Sequence, residues 1–328
     1  MNEADAEKIA GWYESRGWQP AKSFQDADEI VIDTCSVRQS AEDRVYGLVN
    51  NLSKLKIKFA SRRKKLKVIL TGCMLRYPLK WLKEKLPQVD EFKRIDEFKV
   101  PNPKLQVRQS KTHAWVPIME GCNHFCSYCV VPYARGREKS RPFAEIVCEV
   151  KELVGRGYKE ITLLGQNVNS YNYDFAKLLS GLNAIDGLER ISFMTSNPWD
   201  LTDEIIKTIG LPKIDSYLHL PVQSGDDGIL KKMNRPYTAK KYLALVKKIR
   251  RQIPDIKIGT DIIVGFPGET KKQFENTVRL CRQVGFVKAY LAMYSPRQGT
   301  AAFKLKDDIL PAEKKRRWQI LEKLINNF

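Results

Sequence analysis

The sequence lacks any long apolar segment. No run of eighteen or more apolar residues occurs, so the sequence contains no candidate transmembrane helix. The amino-terminal stretch MNEADAEKIAGWYESRGW is charged and amphipathic, whereas a secretory signal peptide needs an apolar core. These absences predict a cytoplasmic protein with no membrane partner.

Acidic residues are scarce relative to basic ones. The 328 residues include 38 Asp and Glu against 57 Lys and Arg, which gives a formal net charge of +19. This excess predicts a polyanionic partner, nucleic acid first, with a solvated basic surface as the alternative. The basic residues concentrate in four segments, at 54–67, 134–141, 247–251 and 314–317.

Cysteine is also infrequent, with an odd total of 7. In a reducing compartment such a set favours metal binding or catalysis over a disulfide framework. Cys122, Cys126 and Cys129 cluster in GCNHFCSYCVVPYARGREKSRP. Structural zinc needs four ligands, and the nearest candidate, His124, lies inside the first spacing, where tetrahedral ligation is awkward. A four-iron cluster tolerates three thiolates and leaves one iron open, so iron–sulfur is favoured over zinc.

Hydrophobic periodicity divides the chain into two α/β regions. The first predicts strands at 29–33 and 67–72, each ending just before a cysteine, and helices at about 3–17 and 40–54. Two prolines within 98–113 predict a connector, and a boundary near residue 108 gives domains 1–108 and 109–328. The second region alternates six strands with helices, which predicts a parallel sheet curled into a partial barrel. Those strands lie near 114–118, 160–164, 190–194, 217–221, 258–265 and 288–294.

The remaining cysteines have two possible roles. Cys35 and Cys73 follow predicted strands, where ligands gather in parallel α/β sheets, although each can instead be a buried small residue. Cys148 and Cys281 fall within amphipathic helices and are predicted to be core residues.

The spacing Cys-x3-Cys-x2-Cys, with Tyr128 before the last cysteine, resembles the signature of the radical S-adenosylmethionine (SAM) superfamily. The resemblance implies that the open iron binds SAM and that one electron cleaves it to methionine and a 5′-deoxyadenosyl radical. Three further segments resemble the methylthiotransferases, specifically the MiaB-type tRNA branch: LLGQNVNSY (163–171), HLPVQSGDDGILKKMNRPYT (219–238) and GTDIIVGFPGET (259–270).

This resemblance covers essentially the whole chain. The fold it implies is α/β, with a Rossmann- or flavodoxin-like N-terminal domain followed by a radical SAM partial (β/α)6 TIM-like barrel. The reaction it implies adds a methylthio group to carbon 2 of an isopentenylated adenosine beside the tRNA anticodon. The expected enzyme is a monomer reduced by a donor such as flavodoxin or ferredoxin.

Two other functions remain open from the sequence. A related methylthiotransferase acts on threonylcarbamoyl-adenosine in tRNA, or on a ribosomal protein. A protein of another class, a basic RNA-binding protein with a structural metal site, would also explain the charge and the three cysteines.

The resemblance further implies a second 4Fe–4S cluster, held by three cysteines of the N-terminal domain. Cys35 in DTCSVR and Cys73 in TGCML match two of them. The third would lie upstream of Met1, and the family's small RNA-binding TRAM domain would follow residue 328. We therefore expect this chain to hold the second cluster poorly and to bind tRNA weakly, mainly by electrostatic attraction.

By the same resemblance, strand-end residues bind SAM. Amide side chains after the second barrel strand suit the methionine amino group, and polar residues after the fourth suit ribose hydroxyls or the methionine carboxylate. A glycine after the fifth allows the backbone to approach the adenine. The expected cofactor-binding residues are Tyr128, Gly165, Gln166, Asn167, Gln223, Ser224 and Gly265.

Substrate contacts are expected from arginines and aromatic residues near the cysteine loop. A planar guanidinium suits phosphate, and a flipped base stacks on aromatic surfaces. The alternatives are ion pairs with local acids such as Glu138 and, for the TSNP segment, a turn that only ends a strand. The candidates are Arg135, Arg137, Arg141, Tyr133, Ser196, Asn197 and Trp199.

Overall fold

The computed structural model describes residues 1–60, 65–100 and 110–326. The chain forms two compact units. The N-terminal unit comprises Met1–Ser110 and Tyr133–Gly136, and the C-terminal unit comprises Lys111–Pro132 and Arg137–Phe328. The boundary predicted near residue 108 lies outside the described residues.

The N-terminal unit is built on a parallel sheet of three strands, β1 (Glu29–Thr34), β2 (Lys67–Gly72) and β3 (Glu91–Phe92), in that order. The two longer strands lie where the sequence predicted them. Their register pairs Thr34 with Gly72, so Cys35 and Cys73 follow neighbouring strands at the same edge of the sheet.

Three helices accompany this sheet: α1 (Asn2–Glu14), α2 (Gln39–Ala60) and α3 (Leu79–Lys85). Along α2, Val45, Val49 and Leu52 recur at helical spacing and are buried in the same core cluster as the strand residue Leu70. This packing fixes the strand that precedes Cys35 and the one that precedes Cys73.

The C-terminal unit contains six parallel strands in two hydrogen-bonded groups. The first group is β4 (His113–Pro117), β7 (Glu160–Leu164) and β8 (Arg190–Phe193), and a short antiparallel pair, β5 (Met119–Glu120) and β6 (Lys139–Ser140), lies between its first two strands in sequence. The second group is β9 (Tyr217–His219), β10 (Lys257–Val264) and β11 (Lys288–Met293).

The two groups meet beside β8, where Ile191 forms a parallel bridge with Ile214. The expected α/β fold with a six-strand partial barrel is confirmed. The helices between and after the strands are α4 (Val131–Arg135), α5 (Phe143–Gly155), α6 (Phe175–Asn183), α7 (Asp203–Ile209), α8 (Asp227–Lys232), α9 (Ala239–Gln252), α10 (Lys271–Val284) and α11 (Pro311–Ile325).

The barrel strands alternate between a helix-facing and an inner face. Ile258, Ile262 and Val264 of β10 belong to the main hydrophobic core, whereas Asp261 on the opposite face bonds His219 of β9 at 3.1 Å. The apolar face packs against the helices, and the polar face lines the inside of the barrel.

The two helical cysteines differ in exposure. Cys281 on α10 is buried as predicted, whereas Cys148 on α5 is exposed. The prediction of a core position for Cys148 is therefore wrong: the apolar stripe of α5 runs through other residues, Ile146, Val150 and Leu153. Across the described ranges, no helix combines the length and apolar character needed to cross a bilayer.

Candidate active site

The three clustered cysteines lie on the loop between β5 and α4. Cys126 is buried, and Cys122 and Cys129 are half-buried. Burial raises the pKa of Cys122 to about 11 and that of Cys129 to about 12. These thiols are thus protonated at neutral pH without a metal, and binding of iron must release their protons.

The loop is held in place by a segment distant in sequence. The Ser127 hydroxyl donates to the carbonyl of Lys232 at 2.7 Å, and the Ser127 amide donates to Met233 at 3.0 Å. The Asn234 side-chain amide donates to the carbonyl of Phe125 at 2.9 Å. These three bonds set the conformation of the cysteine loop.

Arg235 follows directly in the same segment and reaches the cysteines. Its guanidinium donates to the sulfur of Cys126 at 3.5 Å, and lies 4.6 Å from the ring centroid of Trp199. Burial alone would lower the pKa of Arg235, but the neighbouring groups of Tyr128, Tyr237 and Cys126 reverse this and raise it. The sequence pattern alone gives no signal for a role of Arg235.

Tyr128 stands between the second and third cysteines. Its half-buried side chain packs against a small apolar cluster that includes Met233 and Phe266. The aromatic residue therefore ties the cysteine loop to α8 and to the turn after β10.

His124 is engaged by a carboxylate. Its Nε2 lies 3.3 Å from Asp200 Oδ2, and its ring packs edge-on against Trp199 with centroids 4.7 Å apart. Burial raises the pKa of Asp200, but hydrogen bonds from His124 and Asn197 outweigh it, so the pKa is lowered. This pairing disfavours His124 as a zinc ligand.

The residues after β7 face the beginning of the cysteine loop. Gln166 Oε1 accepts from the backbone amide of Gly121 at 2.6 Å. A Cβ on Gly165 would lie 2.5 Å from Met119 Cγ, so the strand end packs closely there. Asn167 Oδ1 is buried and has no hydrogen-bond partner within the described part of the chain. It is an acceptor available to a ligand that donates.

The residues after β9 and β10 divide into one strained position and two packed ones. Gln223 has φ 65°, a left-handed conformation that costs energy for a residue with a side chain. Ser224 is fully buried, with its hydroxyl 3.3 Å from Thr277 on α10. A Cβ on Gly265 would lie 2.4 Å from Lys314 Cγ. Ser224 and Gly265 therefore both lie close to protein side chains at these strand ends.

These cysteines suit a cluster better than a single ion. Across the described residues, no group of three or more His, Cys, Asp and Glu side chains is placed to hold one metal ion. The thiolates of a four-iron cluster bind different irons and need not converge on one point. The half-buried cation of Arg235 and the open acceptor of Asn167 further suit an anionic cluster with a ligand bearing an amino group.

The second cysteine pair lies within the N-terminal unit. Burial raises the pKa of Cys73, and Arg135 opposes this shift. Arg135 Nη2 also pairs with Asp5 Oδ2 at 2.7 Å, with both side chains nearly buried. Both carboxylate oxygens of Asp33 are buried without a hydrogen-bond partner among the described residues. Burial, aided by Asp5, raises the pKa of Asp33 to about 7.

Comparison with known proteins identifies the family. The family model of the radical SAM superfamily matches residues 116–281, and that of uncharacterized protein family UPF0004 matches residues 1–93. The chain is 45% identical to tRNA-2-methylthio-N(6)-dimethylallyladenosine synthase of Thermoanaerobacter pseudethanolicus, over 100% of this chain and 76% of that one. The chain belongs to this synthase family, within the radical SAM superfamily.

Two further comparisons agree. The synthase of the same name from Clostridium botulinum is 43% identical over 100% of this chain and 80% of its own. The radical SAM methyltransferase TsrM from Kitasatospora setae, solved with cobalamin and a [4Fe-4S] cluster, superposes with a TM-score of 0.65. That match covers 91% of this chain and 73% of TsrM at 13% identity, and shows the fold alone.

The arginines expected to contact RNA are not equivalent. Arg135 pairs with Asp5, and Arg141 Nη1 pairs with Glu149 at 2.8 Å. Arg137 is exposed and lies over the ring of Phe125 at 4.9 Å. Arg135 and Arg141 thus each have a counter-ion within the protein.

The other substrate candidates are placed as follows. The Ser196 hydroxyl donates to the carbonyl of His219 at 2.6 Å, and Asn197 Oδ1 accepts from the amides of Trp199 and Asp200. The TSNP segment therefore forms a hydrogen-bonded turn after β8. Trp199 is committed to His124 and Arg235, and Tyr133 is 49% exposed.

Proposed function

We infer that the chain is a radical SAM methylthiotransferase that acts on isopentenylated adenosine beside the tRNA anticodon. The observation that carries this is the three-cysteine loop at the first barrel strand, in a chain 45% identical throughout to a tRNA-2-methylthio-N(6)-dimethylallyladenosine synthase. The product carries a methylthio group on carbon 2 of the base.

We propose Cys122, Cys126 and Cys129 as the ligands of the SAM-binding 4Fe–4S cluster. When bound, that cluster supplies the electron that cleaves SAM, while the protein supplies orientation and electrostatics. Asn167 Oδ1 is the acceptor for the methionine amino group, and Gln166 fixes the cysteine loop through Gly121 at 2.6 Å. The other residues proposed for the SAM site are Tyr128, Gly165, Gln223, Ser224 and Gly265.

We propose that Cys35 and Cys73 serve a second 4Fe–4S cluster. Their placement after neighbouring parallel strands supports this, because ligands gather at that edge of such sheets. Arg135 beside Cys73 favours the thiolate over the thiol, which is the form that binds iron.

We also propose the setting in which the enzyme works. A formal net charge of +19 supports binding to tRNA, and a tRNA substrate supports a cytoplasmic location. A flavodoxin or ferredoxin is the proposed electron donor to a monomeric enzyme. Residues 1–108 and 109–328 are the proposed functional domains.

The deciding experiment is mass spectrometry of tRNA nucleosides from a deletion strain complemented with this chain. Wild type should restore some 2-methylthio derivative of isopentenylated adenosine, in an amount limited by how well it holds the second cluster, and the Cys122→Ala, Cys126→Ala, Cys129→Ala variant should restore none. Methylthiolation of threonylcarbamoyl-adenosine, or of a ribosomal protein, would replace the proposed substrate.

A chemical assay separates the enzyme from a basic RNA-binding protein. Under dithionite, the anaerobically reconstituted chain should form 5′-deoxyadenosine from SAM. Tightly bound zinc, no iron–sulfur absorption and no 5′-deoxyadenosine would identify a structural metal site instead.

A further inference from the structure

Arg235 is a half-buried cation that bonds no carboxylate of the described residues. Its Nη2 donates to the carbonyl of Pro221 at 2.9 Å, and its Nε donates to the Tyr237 hydroxyl at 3.1 Å. Its Nη1 donates to the sulfur of Cys126 at 3.5 Å. Since arginine stays charged in proteins, and burying an uncompensated charge is costly, this site calls for an anion.

Two other arginines with little exposed side chain have counter-ions. Arg317 pairs with Glu269 at 2.6 Å, and Arg135 pairs with Asp5 at 2.7 Å. Arg235 instead directs its free charge at a cysteine proposed to bind iron. A cluster ligated by thiolates is negatively charged and can therefore serve as the counter-ion that Arg235 lacks.

The guanidinium is fixed in position by its surroundings. Its carbon lies 4.6 Å from the centroid of Trp199 and 5.3 Å from that of Tyr237, two rings that stack on each other. The preceding residue, Asn234, bonds the backbone of the cysteine loop. Arg235 and Cys126 are therefore held together by elements that remain when the sulfur binds iron.

We propose that Arg235 is a positioning residue that donates a hydrogen bond to the Cys126 thiolate and makes the cluster easier to reduce. This rests on the proposed function. Hydrogen bonds to cluster sulfurs and nearby charge set the reduction potential of iron–sulfur clusters. One electron taken from an external reductant adds negative charge to the cluster, so a fixed cation stabilises the reduced form more than the oxidised form.

The test is a potentiometric titration of the reconstituted full chain, followed by electron paramagnetic resonance, with neither SAM nor tRNA present. At the wild-type midpoint, the ratio of reduced to oxidised cluster is one. Arg235→Met should lower that ratio by about tenfold or more, because charge-assisted hydrogen bonds are the strong ones. Tenfold corresponds to 59 mV for one electron.

Two further variants serve as controls for the charge of Arg235. Arg235→Lys keeps the charge and loses the planar guanidinium, so the ratio of reduced to oxidised cluster should fall by about threefold. If the Arg235→Met variant does not bind the cluster, the result for Arg235→Lys decides whether Arg235 sets the reduction potential. Arg190→Met removes one positive charge from an exposed position of the same unit and should leave the ratio unchanged.

The outcomes separate this inference from the proposed function. A wild-type chain that binds no cluster at these cysteines refutes the proposed function itself. A wild-type cluster whose ratio stays within about twofold in both Arg235 variants overturns only the role of Arg235. The role of Arg235 in setting the potential is also overturned if its variants bind SAM more weakly while the ratio of reduced to oxidised cluster, measured without SAM, is unchanged. Arg235 would then bind the SAM carboxylate.

Discussion

Two groups of cysteines lie in loops that follow strands in this chain, and an arginine lies beside each, yet their charge environments differ. In the C-terminal unit, Arg235 faces Cys126 with no carboxylate partner among the described residues. In the N-terminal unit, Arg135 beside Cys73 is neutralised by Asp5. The cysteine site is thus cationic in the C-terminal unit and nearly neutral in the N-terminal unit.

The largest expected effect comes from removing the C-terminal group. The Cys122→Ala, Cys126→Ala, Cys129→Ala variant should form 5′-deoxyadenosine at least about 10³-fold more slowly than wild type, because the electron for SAM cleavage has no other route. Chromatography of dithionite-reduced reactions measures this. Cys148→Ala, at an exposed position on α5, is the matched control and should be unaffected; formation above a tenth of wild type in the triple variant would refute the assignment.

The N-terminal cysteine site is most easily disrupted by a substitution at Gly72, the residue before Cys73. Gly72 has φ +85°, and a Cβ there would lie 2.3 Å from Asp33 Oδ1 and 2.5 Å from the Thr34 carbonyl oxygen. Gly72→Ala should therefore destabilise the cluster-free chain by about 2–4 kcal/mol, measured by denaturant unfolding.

Gly47→Ala is the control for that substitution. Gly47 lies on α2 with nothing within 4 Å of an added Cβ, so alanine should stabilise the chain by up to about 1 kcal/mol. Equal effects of the two substitutions would show that the close approach at Gly72 does not matter.

A smaller effect on stability depends on the protonation of Asp33. The pKa of Asp33 is raised from 3.8 to about 7, so its contribution to stability is fully present below the unfolded value and is lost as pH rises through 7. In the cluster-free chain, Asp33→Asn should raise the free energy of unfolding relative to wild type at pH 8 by about 1–3 kcal/mol. The difference should shrink towards pH 4, and a difference independent of pH would contradict the buried-acid explanation.

The smallest effect separates two arginines near the cysteine loop. Arg137 is exposed, whereas Arg141 is paired with Glu149. Arg137→Ala should weaken tRNA binding a few-fold and reduce the slope of log affinity against log salt by about one. Arg141→Ala should leave the slope unchanged. Filter binding at several salt concentrations tests this, and equal slopes for both variants would argue against a phosphate contact from Arg137.

Hydrophobic periodicity was sufficient to predict the main strands of the fold. The strands Glu160–Leu164 and Lys257–Val264 lie within one residue of their predicted bounds, because short apolar runs between helices leave little choice of structure. The positions of Cys35 and Cys73 at one sheet edge follow from the same pattern.

Side-chain partners were not predictable, since they depend on tertiary contacts. Arg235 and Cys126 are 109 positions apart, and no local pattern connects them. Ser224 resembles a strand-end ligand until α10 brings Thr277 to its hydroxyl. The sequence indicates that Arg135 is a basic surface residue, but in the fold it pairs with Asp5, which is 130 positions away.

The central claim is that the two cysteine groups perform separate tasks, and one reaction tests it directly. The Cys35→Ala, Cys73→Ala variant is incubated with SAM, dithionite and tRNA bearing isopentenylated adenosine, and both products are quantified together. We predict that 5′-deoxyadenosine stays within about threefold of wild type while 2-methylthio product falls to background. Loss of both products in parallel, or undiminished methylthiolation, would contradict the separation.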